Sequence, residues 1–124
     1  EKNKISFKFN SYFPIRSLNL MRGVLVAEED NFKNYYIDNI FNSIWQDGLN
    51  MNDENIVQKV LKNLNANPKT FLLRSTSSSI KDSLKKITNE AYEKSIFGAP
   101  TFVVNNKVFW GQDRIEFALN EASK

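Results

Sequence analysis

The sequence predicts a mostly helical α/β chain that closes in a ββα unit. Three observations predict it. From Ser17 onward, apolar residues recur at helical spacing through most of the chain. Near the end, two β-branched and aromatic runs, Thr101 to Val104 and Lys107 to Trp110, flank the pair Asn105-Asn106, which tolerates positive φ and so reads as a hairpin turn. Gly111 then permits an abrupt change of direction. Asp113 with Glu116 three residues on reads as an N-cap and capping-box acid, ahead of Ile115, Ala118, Leu119 and Ala122.

Taken in order, Lys4 to Phe9 alternates Ile5, Phe7 and Phe9 with Ser6 and Lys8, a pattern that suits a third strand or an extended arm over the helices. The arm is the preferred reading. Ser17 is placed to cap a helix with Leu18, Met21, Val24 and Leu25 on its apolar face, and Asn31 a second with Ile37, Ile40, Phe41, Ile44 and Trp45. Asp47-Gly48 ends the second. Asn52 begins a third, carrying Ile56, Val57, Val60, Leu61 and Leu64, and Asn67-Pro68 starts a short turn or helix with Phe71 and Leu72. Ser77 to Ser79 reads as cap and loop before a long helix, about Ser79 to Ser95, with Ile80, Leu84, Ile87 and Ala91. Tyr35, Tyr36 and Trp45 read as core more readily than as cleft.

Composition narrows the chemistry. At 124 residues and 41% hydrophobic content the chain suits one compact domain. It contains neither cysteine nor histidine, so no thiol nucleophile, disulfide or imidazole base lies within it, and the chemistry it retains is binding. The net charge of +3 comes from lysines scattered among acids, such as Lys33, Lys59, Lys62, Lys81, Lys85 and Lys94, without an Arg-rich stripe. No nucleic-acid partner is expected. No apolar run is long enough for a bilayer and no signal-peptide h-region is present, so no membrane association and a cytoplasmic location are expected.

The acidic clusters Glu28-Glu29-Asp30 and Asp53-Glu54 fall at helix ends, where solvation and the helix dipole account for them. The glycines are isolated, so no phosphate-cradling loop forms. Arg16 and Arg22 suit a substrate carboxylate, but surface arginines lying over aromatic rings are the preferred reading. Ala99-Pro100 stands immediately before a strand, where a proline donates nothing to the ladder and a cis bond is inexpensive; an ordinary loop proline is the equal alternative.

Gly98-Ala99-Pro100-Thr101-Phe102, followed by Phe109-Trp110-Gly111-Gln112-Asp113-Arg114, resembles the C-terminal signature of 2-hydroxychromene-2-carboxylate isomerases and kappa-class glutathione transferases, in the Dsb-like branch of the thioredoxin superfamily. Phe13-Pro14, Ser17-Leu18 and Met21-Arg22-Gly23 extend the resemblance upstream, as do Phe41 to Trp45. It implies a thioredoxin-like fold lacking its N-terminal β-α-β unit: an extended arm over 1–16, a helical insert over 17–73, and a connecting helix with the ββα over 74–124. The catalytic serine of such enzymes would precede Glu1, making this the C-terminal part of a longer enzyme.

The resemblance further implies glutathione as cofactor. The backbone of Ala99 and Pro100 would meet its cysteinyl portion, and Asp113, with Gln112 beside it, its γ-glutamyl ammonium group. The helix N-terminus there suits the γ-glutamyl carboxylate. The substrate would be a small aromatic carboxylate, isomerised while the glutathione thiolate adds reversibly so that a bond can rotate, and a homodimer is an expected assembly. Two alternatives stay open: a Dsb-like thiol-disulfide oxidoreductase fragment, and a noncatalytic helical interaction module that uses the hairpin edge.

Overall fold

A computed structural model describes residues 7–124. Two compact units divide the chain, one ending at Leu84 and the other running Lys85–Lys124. The first contains α1 (Leu18–Glu29), α2 (Lys33–Trp45), α3 (Glu54–Asn63) and α4 (Pro68–Ser75), together with the start of α5 (Ser78–Glu93). The second contains the rest of α5, the strands β1 (Thr101–Val104) and β2 (Lys107–Trp110), a 3₁₀ turn over Gln112–Arg114, and α6 (Ile115–Ala122). The fold is mostly helical with a two-stranded sheet, as the sequence predicts. No β-α-β unit occurs among the described residues. No helix there is long and apolar enough to cross a membrane.

Each helix of the first unit buries one face in a common core. Leu20, Val26 and Ala27 of α1 meet Tyr36 and Ile40 of α2, Val57, Val60 and Leu61 of α3, Phe71 of α4 and Ile80 of α5. Burying a side chain such as Leu61, which is fully enclosed, is worth about 1.5–3 kcal/mol. The face of α1 differs from the expected Leu18, Met21, Val24 and Leu25: Leu18 and Met21 are exposed, and Leu20, Gly23, Val26 and Ala27 point inward. The small residues account for the rotation. A Cβ on Gly23 would overlap the Tyr36 hydroxyl and lie 3.1 Å from Phe71 Cε1, so only glycine lets α1 come this close. The Tyr36 ring stacks on Phe71 at 5.5 Å and its hydroxyl donates to the Leu20 carbonyl at 2.8 Å. Tyr36 is thus core, whereas Tyr35, one position round the helix, is exposed, and Trp45 is half-buried.

Two helix starts are placed differently from expectation, and a third stands where expected without its side-chain bond. Ser17 precedes α1 with its backbone carbonyl bonded to the Met21 amide, but its side chain makes no cap. Asn31 lies at φ 65 with its amide on Glu28, and the Phe32 amide returns to Ala27 at 2.9 Å. It therefore closes α1 instead of opening α2. Asn52 accepts from the Arg16 amide at 2.8 Å, and the cap of α3 falls to Asp53, which accepts from the Asn55 amide at 2.9 Å. Two other caps in this unit match the sequence reading. Asn67 accepts from the Thr70 amide ahead of Pro68, and Ser77 Oγ from the Ile80 amide.

Residues 4–6 of the strand-or-arm segment lie outside the described residues, and 7–9 form no strand. The rings of Phe7, Phe9 and Phe13 gather on Trp45, with centroids at 5.6, 6.4 and 5.8 Å. Asn10, fully buried, fastens this segment: Nδ2 donates to the carbonyls of Ile44 (3.0 Å) and Leu49 (2.8 Å), and Oδ1 accepts from the Tyr12 amide (2.7 Å). At the far end of α1, Arg74 holds Glu29 and Asp30 at 2.6 and 2.7 Å, which explains two members of that acidic cluster. These two carboxylates hold the guanidinium pKa above its ordinary value.

In the second unit β1 and β2 pair antiparallel with Thr101 opposite Trp110 and Val104 opposite Lys107. Asn105 and Asn106, at φ 51 and 64, form the turn, with both central residues in the left-handed region. Helix α6 packs on the hairpin through Ala118, a member of the expected row, and through Glu121 in place of Ile115, Leu119 and Ala122. Ile115 and Leu119 are exposed. Polar anchorage decides this orientation, because Asn105 Nδ2 donates to the Glu121 carbonyl (3.0 Å) and Lys107 Nζ pairs with Glu121 Oε2 (3.1 Å).

Candidate functional site

The segment Phe97 to Pro100 delivers the chain from α5 to β1. The Ala99–Pro100 peptide bond is cis. Thr101 Oγ1 donates to the Gly98 carbonyl, and the Gly111 amide donates to the Pro100 carbonyl at 2.8 Å. The second bond extends the hairpin ladder by one step, so the segment that follows β2 begins beside the proline. Gln112 and Asp113 stand directly after Gly111, in the 3₁₀ turn. The structure thus brings Ala99, Pro100, Gln112 and Asp113 to one end of the hairpin, all within the second unit.

Backbone bonding at this end is uneven. Gly98 and Pro100 both have their carbonyls satisfied, whereas among the described residues neither the amide nor the carbonyl of Ala99 has a hydrogen-bond partner. Ala99 is exposed. An unpaired amide and carbonyl on one exposed residue form a donor and acceptor pair suited to the backbone of a peptide, which supplies the complementary pair.

Asp113 corrects an expectation. The chain leaves Gly111, at φ 96, into a 3₁₀ turn over Gln112–Arg114 before α6 begins at Ile115. Asp113 therefore lies inside the turn and makes no cap bond; Arg114 holds the N-cap position of α6. The Asp113 side chain is 80% exposed, and among the described residues its carboxylate pairs only with Arg114 Nε, at 4.0 Å. A carboxylate this open remains available to a cationic group, which a cap would have partly occupied.

Four residues that hold this end together went unnamed as site residues: Gly98, Thr101, Trp110 and Gly111. Part of the signal was present in the sequence, since pairing across the Asn105-Asn106 turn puts Thr101 opposite Trp110. Elsewhere, Arg16 lines a cavity of about 560 Å³ in the first unit, with Asn19, Leu20, Met51, Val57 and Lys69 among its walls. Arg22 donates through Nη1 to Asn19 Oδ1 at 3.1 Å.

Comparison with known proteins identifies the family and the fold. The 2-hydroxychromene-2-carboxylate isomerase of Pseudomonas sp. (strain C18) is 29% identical over 87 residues, which is 70% of this chain and 41% of that protein. The proteins of the same name from Sphingobium xenophagum and Pseudomonas putida are 24% and 28% identical, over 66% and 70% of this chain and 42% of each relative. The chain spans about two-fifths of the length of these curated relatives. A solved structure of a 2-hydroxychromene-2-carboxylate isomerase shares the fold with a TM-score of 0.78 at 24% identity, over 96% of this chain and 57% of that one. The family model described as the DSBA-like thioredoxin domain matches residues 1–122, and the chain belongs to that family.

Proposed function

We propose that this chain supplies the glutathione-binding part of a glutathione-dependent isomerase or transferase site, with an activity like that of 2-hydroxychromene-2-carboxylate isomerase. The observation that carries the reading is the exposed residue Ala99, whose amide and carbonyl are both unpaired among the described residues beside Pro100. Strand-like pairing with the cysteinyl residue of glutathione uses both groups. The hydrogen bond from the Gly111 amide to the Pro100 carbonyl sets the Gln112-Asp113 turn next to that residue, where the open Asp113 carboxylate would meet the γ-glutamyl ammonium and the Gln112 amide would add neutral bonds.

When bound, glutathione supplies a thiolate nucleophile that this chain lacks. The protein's part is to hold and orient the tripeptide. The serine that favours the thiolate would lie outside these 124 residues, a reading supported by the two-fifths coverage of the relatives. The substrate would be a small aromatic carboxylate. Thiol-disulfide exchange, the main alternative, would require cysteines from elsewhere, because the chain has none.

Titration of ¹⁵N-labelled chain with reduced glutathione tests the reading. Saturable shifts at the amides of Ala99, Gln112 and Asp113 are expected. Asp113→Ala should weaken binding by about tenfold, the order of one charge-assisted hydrogen bond. Unmoved amides in the wild type, or an Asp113→Ala variant with wild-type affinity, would sink the proposal.

A further inference from the structure

Ala99 is held from its neighbours, and the hold has an asymmetric design. Its following residue, Pro100, is fixed by the Gly111 amide at 2.8 Å, and the Gly98 carbonyl by the Thr101 hydroxyl. The Cα of Gly98 is covered by the indole of Trp110. A Cβ built on Gly98 would overlap Trp110 Nε1 and lie 3.0 Å from Cε2 and 3.2 Å from Cδ1. Gly98 is not in the left-handed region, so its backbone would accept an alanine. The three atoms nearest such a Cβ all belong to the indole.

Trp110 touches a second residue of the same segment. The Phe97 ring lies 5.5 Å from it at 37°. One side chain on β2 therefore contacts both residues that precede Ala99, while Thr101, its partner in the hairpin register, holds the Gly98 carbonyl that leads into Ala99. Trp110 is itself 50% exposed, so it contributes less to burial than an enclosed tryptophan would. Its contact with Gly98 is specific in direction, because the indole edge sits where a Cβ would project.

We propose that Trp110 is the positioning residue of this loop: seated on Gly98, its indole sets the direction in which the Ala99 amide and carbonyl face a peptide ligand. The proposal rests on the reading of Ala99 and Pro100 as the glutathione contact. It adds a requirement that reading lacks, namely that position 98 and position 110 act as one unit.

Calorimetric titration of the full chain with reduced glutathione, on wild type, Gly98→Ala, Trp110→Ala, Trp110→Phe and the Gly98→Ala/Trp110→Ala pair, tests it. Gly98→Ala and Trp110→Ala should each weaken affinity about tenfold by turning the loop, while Trp110→Phe keeps a ring on Gly98 and loses less. In the Trp110→Ala background, Gly98→Ala should cost no more than about twofold further, since the obstacle it meets is gone. Melting temperatures are read beside the affinities. A Trp110→Ala chain that melts lower but binds as wild type, or a Gly98→Ala cost that is equal in both backgrounds, overturns the proposal. If wild type binds no glutathione, that reading falls by itself, and positioning is read on the Ala99 amide resonance of the free chain. Non-additive shifts in the same variants then support it, and additive ones overturn it.

Discussion

The Lys107 ammonium pairs with the Glu121 carboxylate at 3.1 Å, tying the return strand of the hairpin to the last turn of α6. Lys124 reaches the same oxygen at 3.0 Å, and Asn105 Nδ2 reaches Oε1 at 3.4 Å. Bonds from Lys124 first, then Lys107 and Asn105, hold the Glu121 pKa down at about 2 against an ordinary 4.5. A depressed carboxylate stabilises the fold above its unfolded pKa and ceases to as pH falls through its folded one. Thermal melts of wild type should therefore drop between about pH 4.5 and 2 more steeply than those of Glu121→Gln. Parallel curves would show that the cluster does not matter to folding.

Gly23 sets two effects of opposite sign against each other. In an exposed helix, Gly→Ala is worth close to 1 kcal/mol of stabilisation. Here the new methyl would meet the Tyr36 hydroxyl, and overpacking costs about 1–3 kcal/mol. Gly23→Ala should lower stability in urea denaturation, and a more stable variant would mean that α1 and α2 move apart freely.

Asn10 should be intolerant of both truncation and charge. Asn10→Ala leaves the Ile44 and Leu49 carbonyls without its two donors and should cost about 1–3 kcal/mol. Asn10→Asp should cost more, because it turns a carboxylate toward two carbonyl oxygens. Equal midpoints for the two variants in guanidinium would argue that water takes over the site.

Arg74 offers the contrasting case. Its ion pairs with Glu29 and Asp30 have short distances, but the three side chains are 36–56% exposed. Arg74→Ala should cost below about 1 kcal/mol, with the difference shrinking as salt rises. A larger, salt-independent loss would point to packing by its aliphatic stem.

The contrast between these positions follows from what each depends on. The Asn105-Asn106 turn, the strands beside it, the Asn67 cap and the α3 face are set by neighbours in sequence, through φ preference, side-chain reach and helical period, and all are legible in the chain itself. So is the DSBA-like C-terminal signature from Gly98 to Arg114. The faces of α1 and α6 are not, because hydrophobicity alone favours Leu18, Met21 and Leu119 over Gly23, Ala27 and Glu121. Close approach to Tyr36 and the ion pair with Lys107 decide those orientations, and both partners lie on other elements.

At the candidate site the same division holds. The residue types at Ala99, Pro100, Gln112 and Asp113 can be read along the chain, as can the suitability of Asn105-Asn106 for the turn that returns the second to the first. Whether Asp113 caps a helix or stays open depends on the 3₁₀ turn that Gly111 leads into. That Gly98 must lack a side chain depends on an indole twelve residues away in sequence, and only the register of the folded hairpin sets one on the other. Local sequence determines which conformations the backbone prefers; the tertiary structure decides which side chains then compete for the same space.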